Sequence, residues 1–416
     1  MGSIKTGVNR LDEATAAAAR ALAVGDPLGA LNLVSLRDDA PCLALRGIAM
    51  AQLGDFGLAR SLLRRAAQEF GPGQPVARAR CVVAETEVAL VLRDLGPDNK
   101  ALTAAADLLE QRGDGVNAAH ARYLALRWLI LVGRLNEAER VTETLDPAPL
   151  PPALRSSHSL VAATLALRRL RAAEALAHLS DAETYARRAR IPALLAEVEG
   201  IRASFERPVA RLIERDCERL LTIEEVESVL NSGALVIDAC RRAVRDATTA
   251  TAMSTRPVLF ELVRALAEAW PGDVPREELV ERVFQLGLED ELDRLRLRVE
   301  VGRLRTLLGP LADVVATKQG FSLSPRRATA VSVLALPVEQ KHAEVLALLA
   351  DGESWSSSAL ALALGARQRT VQRSLEALSA EGKIQSVGGG RSCKWMTPPV
   401  LGFATSLLLP GALPGE

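Results

Sequence analysis

Aromatic side chains are scarce in this chain of 416 residues, at only 3%. Apolar residues nevertheless make up 49%, most of them alanine and leucine. That mixture favours helix over strand. Cysteine is also sparse. Cys42, Cys81, Cys217, Cys240 and Cys393 are scattered without a C-x-x-C pair, which argues for reduced thiols in the cytoplasm and against a zinc site. The four histidines, His120, His158, His178 and His342, are equally dispersed, so no metal or other cofactor is expected. No run approaches the ~20 apolar residues that span a bilayer, and Met1–Leu11 is too polar for a secretory leader. Charge of one sign is not in excess, with 51 cations facing 51 anions. Any nucleic-acid surface must then be local. The chain lacks G-x-x-x-x-G-K-[ST], G-x-S-x-G and H-E-x-x-H motifs. Its carboxylates are mostly interleaved with arginine at helical spacing, as on solvated faces. Together these absences point away from an ATP-driven machine and from an enzyme.

What is present is most informative between Ser356 and Met396. Ser356–Ser358 offers hydroxyls to cap a helix start. Ala359, Leu360, Ala363 and Leu364 form a short apolar face, and Gly365 suits a helix end. A second helix is predicted from about Arg367 to Ala380, with Val371, Leu375 and Leu378 facing a core. Ile384–Val387, the turn Gly388–Gly390 and Arg391–Met396 read as two strands of a hairpin. This order resembles the winged helix-turn-helix of bacterial repressors. Six cations against two anions lie between Leu360 and Met396. The face opposite the core carries Arg367, Gln368, Arg369, Thr370, Gln372 and Arg373. Arginine suits guanine edges in the major groove, and glutamine suits adenine edges. Arg391 and Lys394 are expected to clamp the DNA backbone from the hairpin. An ordinary solvated helix accounts for any one of these arginines, but not for turn, helix, hairpin and charge together.

Residues 1–205 read as helix after helix. Leu45–Ala66, Leu124–Glu139 and Leu160–Leu176 each join two helices through a turn. The turn positions Gly54, Gly96, Gly133 and Arg169 recur every ~40 residues, as in stacked helical hairpins. Gly47, Leu53-Gly54-Asp55-Phe56 and Ala59 resemble tetratricopeptide repeats. That resemblance implies an α-solenoid whose concave surface holds a protein or peptide partner, or a second copy of the chain.

Residues 206–232 read as a helical linker, and residues 233–327 as a further module. Ala234–Cys240 and Ala243–Arg245 alternate like strands, helices follow at Thr255–Trp270 and from Val274, and Glu291–Leu308 is a third helix. Val314–Leu323 is a hairpin. Ile237-Asp238, Pro275-Arg276-Glu277-Glu278-Leu279, Val301-Gly302-Arg303-Leu304-Arg305 and Ala316-Thr317-Lys318-Gln319-Gly320-Phe321 resemble the winged-helix effector domain of OmpR/PhoB-type regulators. By that resemblance Arg296, Arg298 and Arg303 face the groove or phosphates, and Lys318 sits at a wing tip near the minor groove. Residues 336–397 then hold the C-terminal module, and 398–416 an apolar, proline-broken tail.

The expected fold is thus mainly α, an N-terminal α-solenoid followed by two α+β winged helices. The expected function is that of a cytoplasmic bacterial transcription regulator. Its partners would be double-stranded DNA, a protein or peptide on the helical repeats, and a second subunit, but no membrane. Two alternatives stay open: an interaction scaffold whose winged helices are adaptors, and a DNA-binding factor in defence or repair.

Overall fold

The structure is a computed structural model that describes residues 3–94, 98–214, 217–253, 255–284, 291–337, 342–349, 354–364, 366–381, 383–387 and 393–396. It is mainly helical, with eighteen helices and twelve short strands among the described residues. The chain divides into two compact units. Unit 1 takes Met1–Arg169, Ala173–Arg202 and Glu344–Glu416, and unit 2 takes Leu170–Ala172 and Ala203–Ala343. The turn at Gly96, the residues Gly365, Gly388–Gly390 and Arg391, and the 398–416 tail lie outside the described residues.

Unit 1 begins with a run of helices: α1 (Ser3–Ala23), α2 (Pro27–Val34), α3 (Ala40–Gln52), α4 (Phe56–Phe70), α5 (Pro75–Val91), α6 (Lys100–Gln111), α7 (Gly115–Leu131), α8 (Leu135–Glu143), α9 (Pro152–Arg168), α10 (Ala172–Ala189) and α11 (Pro192–Phe205). Consecutive helices from α1 to α9 pack on one another. One local device recurs at their ends. At Gly54 the chain turns to φ 87°. The Gly54 N–H donates to Ala51 O, and the Asp55 N–H donates to Met50 O. This is a Schellman closure, with glycine taking the left-handed position. The same pair of bonds recurs at Gly25-Asp26, Arg93-Asp94, Gly113-Asp114 and Gly133-Arg134. Asp26, Asp55 and Asp114 then accept from Gly29 N, Leu58 N and Asn117 N. A two-residue step therefore ends one helix and caps the next. The expected turn at Arg169 is shifted by one, since the left-handed residue there is Leu170. Arg169 instead ties α9 to α8 through Glu139.

Unit 2 corrects the expected helical linker. β1 (Ala210–Glu214) and β2 (Cys217–Leu221) pair antiparallel there, and among the described residues of that segment only α12 (Ile223–Asn231) is helical. Arg211 pairs with Glu218 across that hairpin at 2.8 Å. Then follow β3 (Leu235–Asp238), β4 (Ala243–Arg245), β5 (Ala250–Ala252), α13 (Pro257–Glu268), β6 (Asp273–Pro275), α14 (Arg276–Phe284), α15 (Glu291–Leu308), β7 (Ala312–Ala316), β8 (Gly320–Pro325) and β9 (Val331–Ala335). The order of the larger sheet is β2-β1-β9-β3-β4-β5. β9 lies beyond the expected 233–327 boundary, yet it pairs parallel to β3 and antiparallel to β1. It is buried at every residue. The module thus extends at both ends.

The smaller sheet of this unit, β6-β8-β7, carries the 317–319 hairpin turn. At Gly320 an added Cβ would run into the Val274 carbonyl on β6. Glycine permits this close approach of backbones. Gly320→Ala is expected to cost about 1–3 kcal/mol by overpacking. Urea unfolding of the variant checks this, and an unchanged midpoint would refute it.

Unit 1 resumes with α16 (Ala343–Leu349), β10 (Trp355–Ser356), α17 (Ser357–Ala363), α18 (Gln368–Ala380), β11 (Gln385–Val387) and β12 (Lys394–Met396). The hairpin expected here gains a third strand, in the order β10-β12-β11. Ser356 caps α17 by accepting from Ala359 N. Val371, Leu375 and Leu378 are buried, as their spacing predicts. They belong to a continuous apolar core that also holds Trp355, Leu360, Leu102, Leu126 and Trp128. The C-terminal module therefore shares its core with α6 and α7.

Candidate nucleic-acid interface

In unit 1 the candidate surface is built on α18. Its inner face is fixed by Val371, Ser374, Leu375 and Leu378, all buried. The remaining positions of its first two turns must face outward, and Gln368, Arg369, Thr370, Gln372 and Arg373 are all exposed. Arg367 is the exposed N-cap residue, with φ −73° and ψ 134°. Gln368 Nε2 donates to Ser357 Oγ at 3.1 Å, linking the starts of α17 and α18. Among the described residues no carboxylate pairs with Arg367, Arg369 or Arg373. The first two turns thus present the guanidinium groups of Arg367, Arg369 and Arg373 and the exposed amide of Gln372 at the positive end of the helix dipole.

The hairpin beside α18 departs from the expected clamp. Arg391 lies outside the described residues. Lys394 does not point to an open surface, since its Nζ donates to Leu92 O at the end of α5 at 2.9 Å. Burial opposes the charge of Asp94 nearby, but Arg60 and Lys394 outweigh it and hold its pKa below the usual carboxylate value. Arg93 covers the Trp355 ring at 5.7 Å. The turn after α5 therefore grips the hairpin by charge, hydrogen bond and ring contact. This docking is not visible in local sequence pattern, because the partners lie roughly three hundred residues apart in the chain.

In unit 2 the corresponding helix is α15. Leu297, Val301, Leu304 and Leu308 are buried and turn it against α13 and β7. Arg298 is exposed. Arg296 is exposed too, with its guanidinium 4.4 Å from the Phe284 ring centroid. Arg303 pairs with Glu300 at 2.8 Å, so its charge is partly compensated. Leu295 and Val299 are 58% and 48% exposed, giving this face an apolar component. Lys318 is exposed at the β7–β8 turn. The turn is braced by Arg276, a residue outside the predicted set. Its Nη1 and Nη2 donate to the carbonyls of Lys318 and Thr317, and its guanidinium lies 5.4 Å from the Phe321 ring. The signal for Arg276 was its place directly after Pro275, opposite the hairpin tip.

Arg367, Gln368, Arg369, Thr370, Gln372 and Arg373 are thus brought together on one surface of unit 1. Arg296, Arg298, Arg303 and Lys318 belong to unit 2. Among the described residues no group of three or more His, Cys, Asp or Glu side chains is placed to hold a metal ion. No described helix is long and apolar enough to cross a membrane. No family model, curated protein or solved structure matches the chain.

Proposed function

We propose that the chain is a sequence-specific, DNA-binding transcription regulator. Its first eleven helices form an α-solenoid of tetratricopeptide-like hairpins that receives a partner, effector or second subunit. Two winged helices, one in each unit, hold DNA. The observation that carries this reading is α18: a short helix and turn precede it, a hairpin follows it, and an uncompensated Arg/Gln face opposes its buried side. A helix of this kind fits the ~12 Å major groove, where its arginines and glutamines meet guanine and adenine edges. The α15 face supports a second contact through Arg298 and the Lys318 hairpin tip. Its exposed Leu295 and Val299 suit thymine methyl groups, and equally suit a protein surface, which keeps an adaptor role for unit 2 as the second reading.

The test is DNA binding by the full chain across a salt series. Fragments that begin at residue 233 would omit β1, and would strip the C-terminal module of the α6–α7 core. The logarithm of the binding constant should fall linearly with that of salt concentration. The slope should be about −4 to −6, as for a protein that neutralises several phosphates. A folded chain that binds no duplex at ~50 mM salt, where even non-specific contacts register, would replace this reading with the adaptor.

A further inference from the structure

Four large apolar side chains stand exposed where the first helices of unit 1 turn. Val24 and Leu28 flank the α1–α2 turn, and Leu53 and Leu58 flank the α3–α4 turn. Their exposures run from 44% for Leu58 to 79% for Val24. The two turns are neighbours, because Gln52 Nε2 at the end of α3 donates to Leu22 O at the end of α1 at 3.3 Å. The four side chains therefore share one edge of the helical array. Asp26 and Asp55 lie among them, but both carboxylates are engaged in capping, by accepting from Gly29 N and Leu58 N. Single exposed leucines need no explanation, whereas a group of them marks a contact surface.

The course of the chain indicates what covers this edge. β12 ends at Met396. Two residues earlier, Lys394 Nζ donates to Leu92 O in the α5–α6 turn. In the same turn Asp94 pairs with Arg60 of α4, two residues beyond Leu58. The chain thus leaves β12 beside the apolar edge. The 20 residues 397–416 that follow lie outside the described residues. They include Val400, Leu401, Phe403, Leu407, Leu408 and Leu409, and carry no charge before Glu416. Helices pack about 8–10 Å apart, so three helix steps cover ~30 Å, and ten extended residues reach ~33 Å.

We propose that the chain's own residues 400–409 dock across the α1–α2 and α3–α4 turns and cover Val24, Leu28, Leu53 and Leu58. Apolar side chains on both partners supply the driving force. The tether favours this segment over a second copy, since it sets an effective concentration on the order of millimolar. The contact lies within unit 1 and stands or falls without DNA.

The experiment treats the full chain, without DNA, with chymotrypsin and follows cleavage after Phe403 by mass spectrometry. Cleavage at such a site tracks the population in which the segment is undocked. Leu28→Glu/Leu58→Glu places two charges on the covered edge and should speed that cleavage at least about tenfold. Both side chains are exposed, so the substitutions leave the helical core intact. Should this variant fail to fold, Leu407→Glu/Leu408→Glu leaves residues 1–396 unchanged and tests the contact from the other side. In it, amide exchange across residues 24–29 and 53–59 should quicken about tenfold relative to the full chain. Equal cleavage rates in the full chain and the first variant, or unchanged exchange in the second, would overturn the proposal. Protection that fades on dilution as a sedimenting dimer dissociates would also overturn it, by assigning the edge to a second copy.

Discussion

On the proposed function, the variant Arg369→Ala/Arg373→Ala should lose most of the affinity for preferred DNA while remaining folded. Both side chains are exposed on α18, and the helix is held from its other side by Val371, Leu375 and Leu378. Their removal should change stability by no more than about 0.5 kcal/mol. Each guanidinium that meets a base or phosphate contributes about 1–3 kcal/mol. Losing two corresponds to a drop of about 30-fold or more. The pattern of loss matters as much as its size. Arginines reading guanine edges lower affinity for the preferred sequence and leave non-specific binding nearly intact, whereas phosphate contacts weaken every sequence alike. Anisotropy titrations on preferred and scrambled duplexes separate these cases. The matched variant Arg298→Ala/Lys318→Ala assigns the share of unit 2. Unchanged affinity in the α18 variant, with normal far-UV dichroism, would remove α18 as the reading helix.

How much of this was legible in the sequence depends on whether local chemistry or distant pairing decides each element. Helix α18 was legible because Val371, Leu375 and Leu378 repeat at helical spacing and because its ends lie within two residues of the expected ones. The Gly54 and Gly133 turns were legible because a left-handed residue favours glycine. Arg93 and Leu170 take the same conformation without being glycine, so no glycine marks them, and the ~40-residue recurrence locates the second only to within one residue, at Arg169. The β1–β2 hairpin was misread as helix. ARLIE and CERLL contain good helix formers, and their strand state is fixed by pairing, including that of β1 with β9 more than a hundred residues later. Such tertiary pairing overrides local propensity. The site shows the same division. Exposure of Arg369 and Arg373 follows from helical periodicity alone. The capture of Lys394 by Leu92 O depends on how two distant segments dock, and no local pattern encodes it.

That docking makes Trp355 the residue whose loss should matter most to the C-terminal module. Its side chain is only 1% exposed. It lies on β10 opposite Trp395 of β12, packs in the core shared with α6 and α7, and is covered by Arg93. Truncation of a buried tryptophan removes a large apolar surface and leaves a cavity, at a cost of about 3–5 kcal/mol. In Trp355→Ala that cost should fall on one part of the chain. β10, α17 and α18 lose their common support, whereas the core of unit 2 around Leu262, Leu266 and Leu304 is built from other residues. Hydrogen exchange should therefore show faster exchange across residues 355–381 and unchanged protection in α13 and β9. On the proposed function, DNA binding should fall at temperatures where unit 2 is still folded, although Trp355 is buried away from the surface. Trp355→Phe should recover much of both, because it refills most of the cavity. An even loss of protection over both units would show that Trp355 supports the whole chain, and full retention of DNA affinity in a variant with an exchanging α18 would place the DNA contact on unit 2 alone.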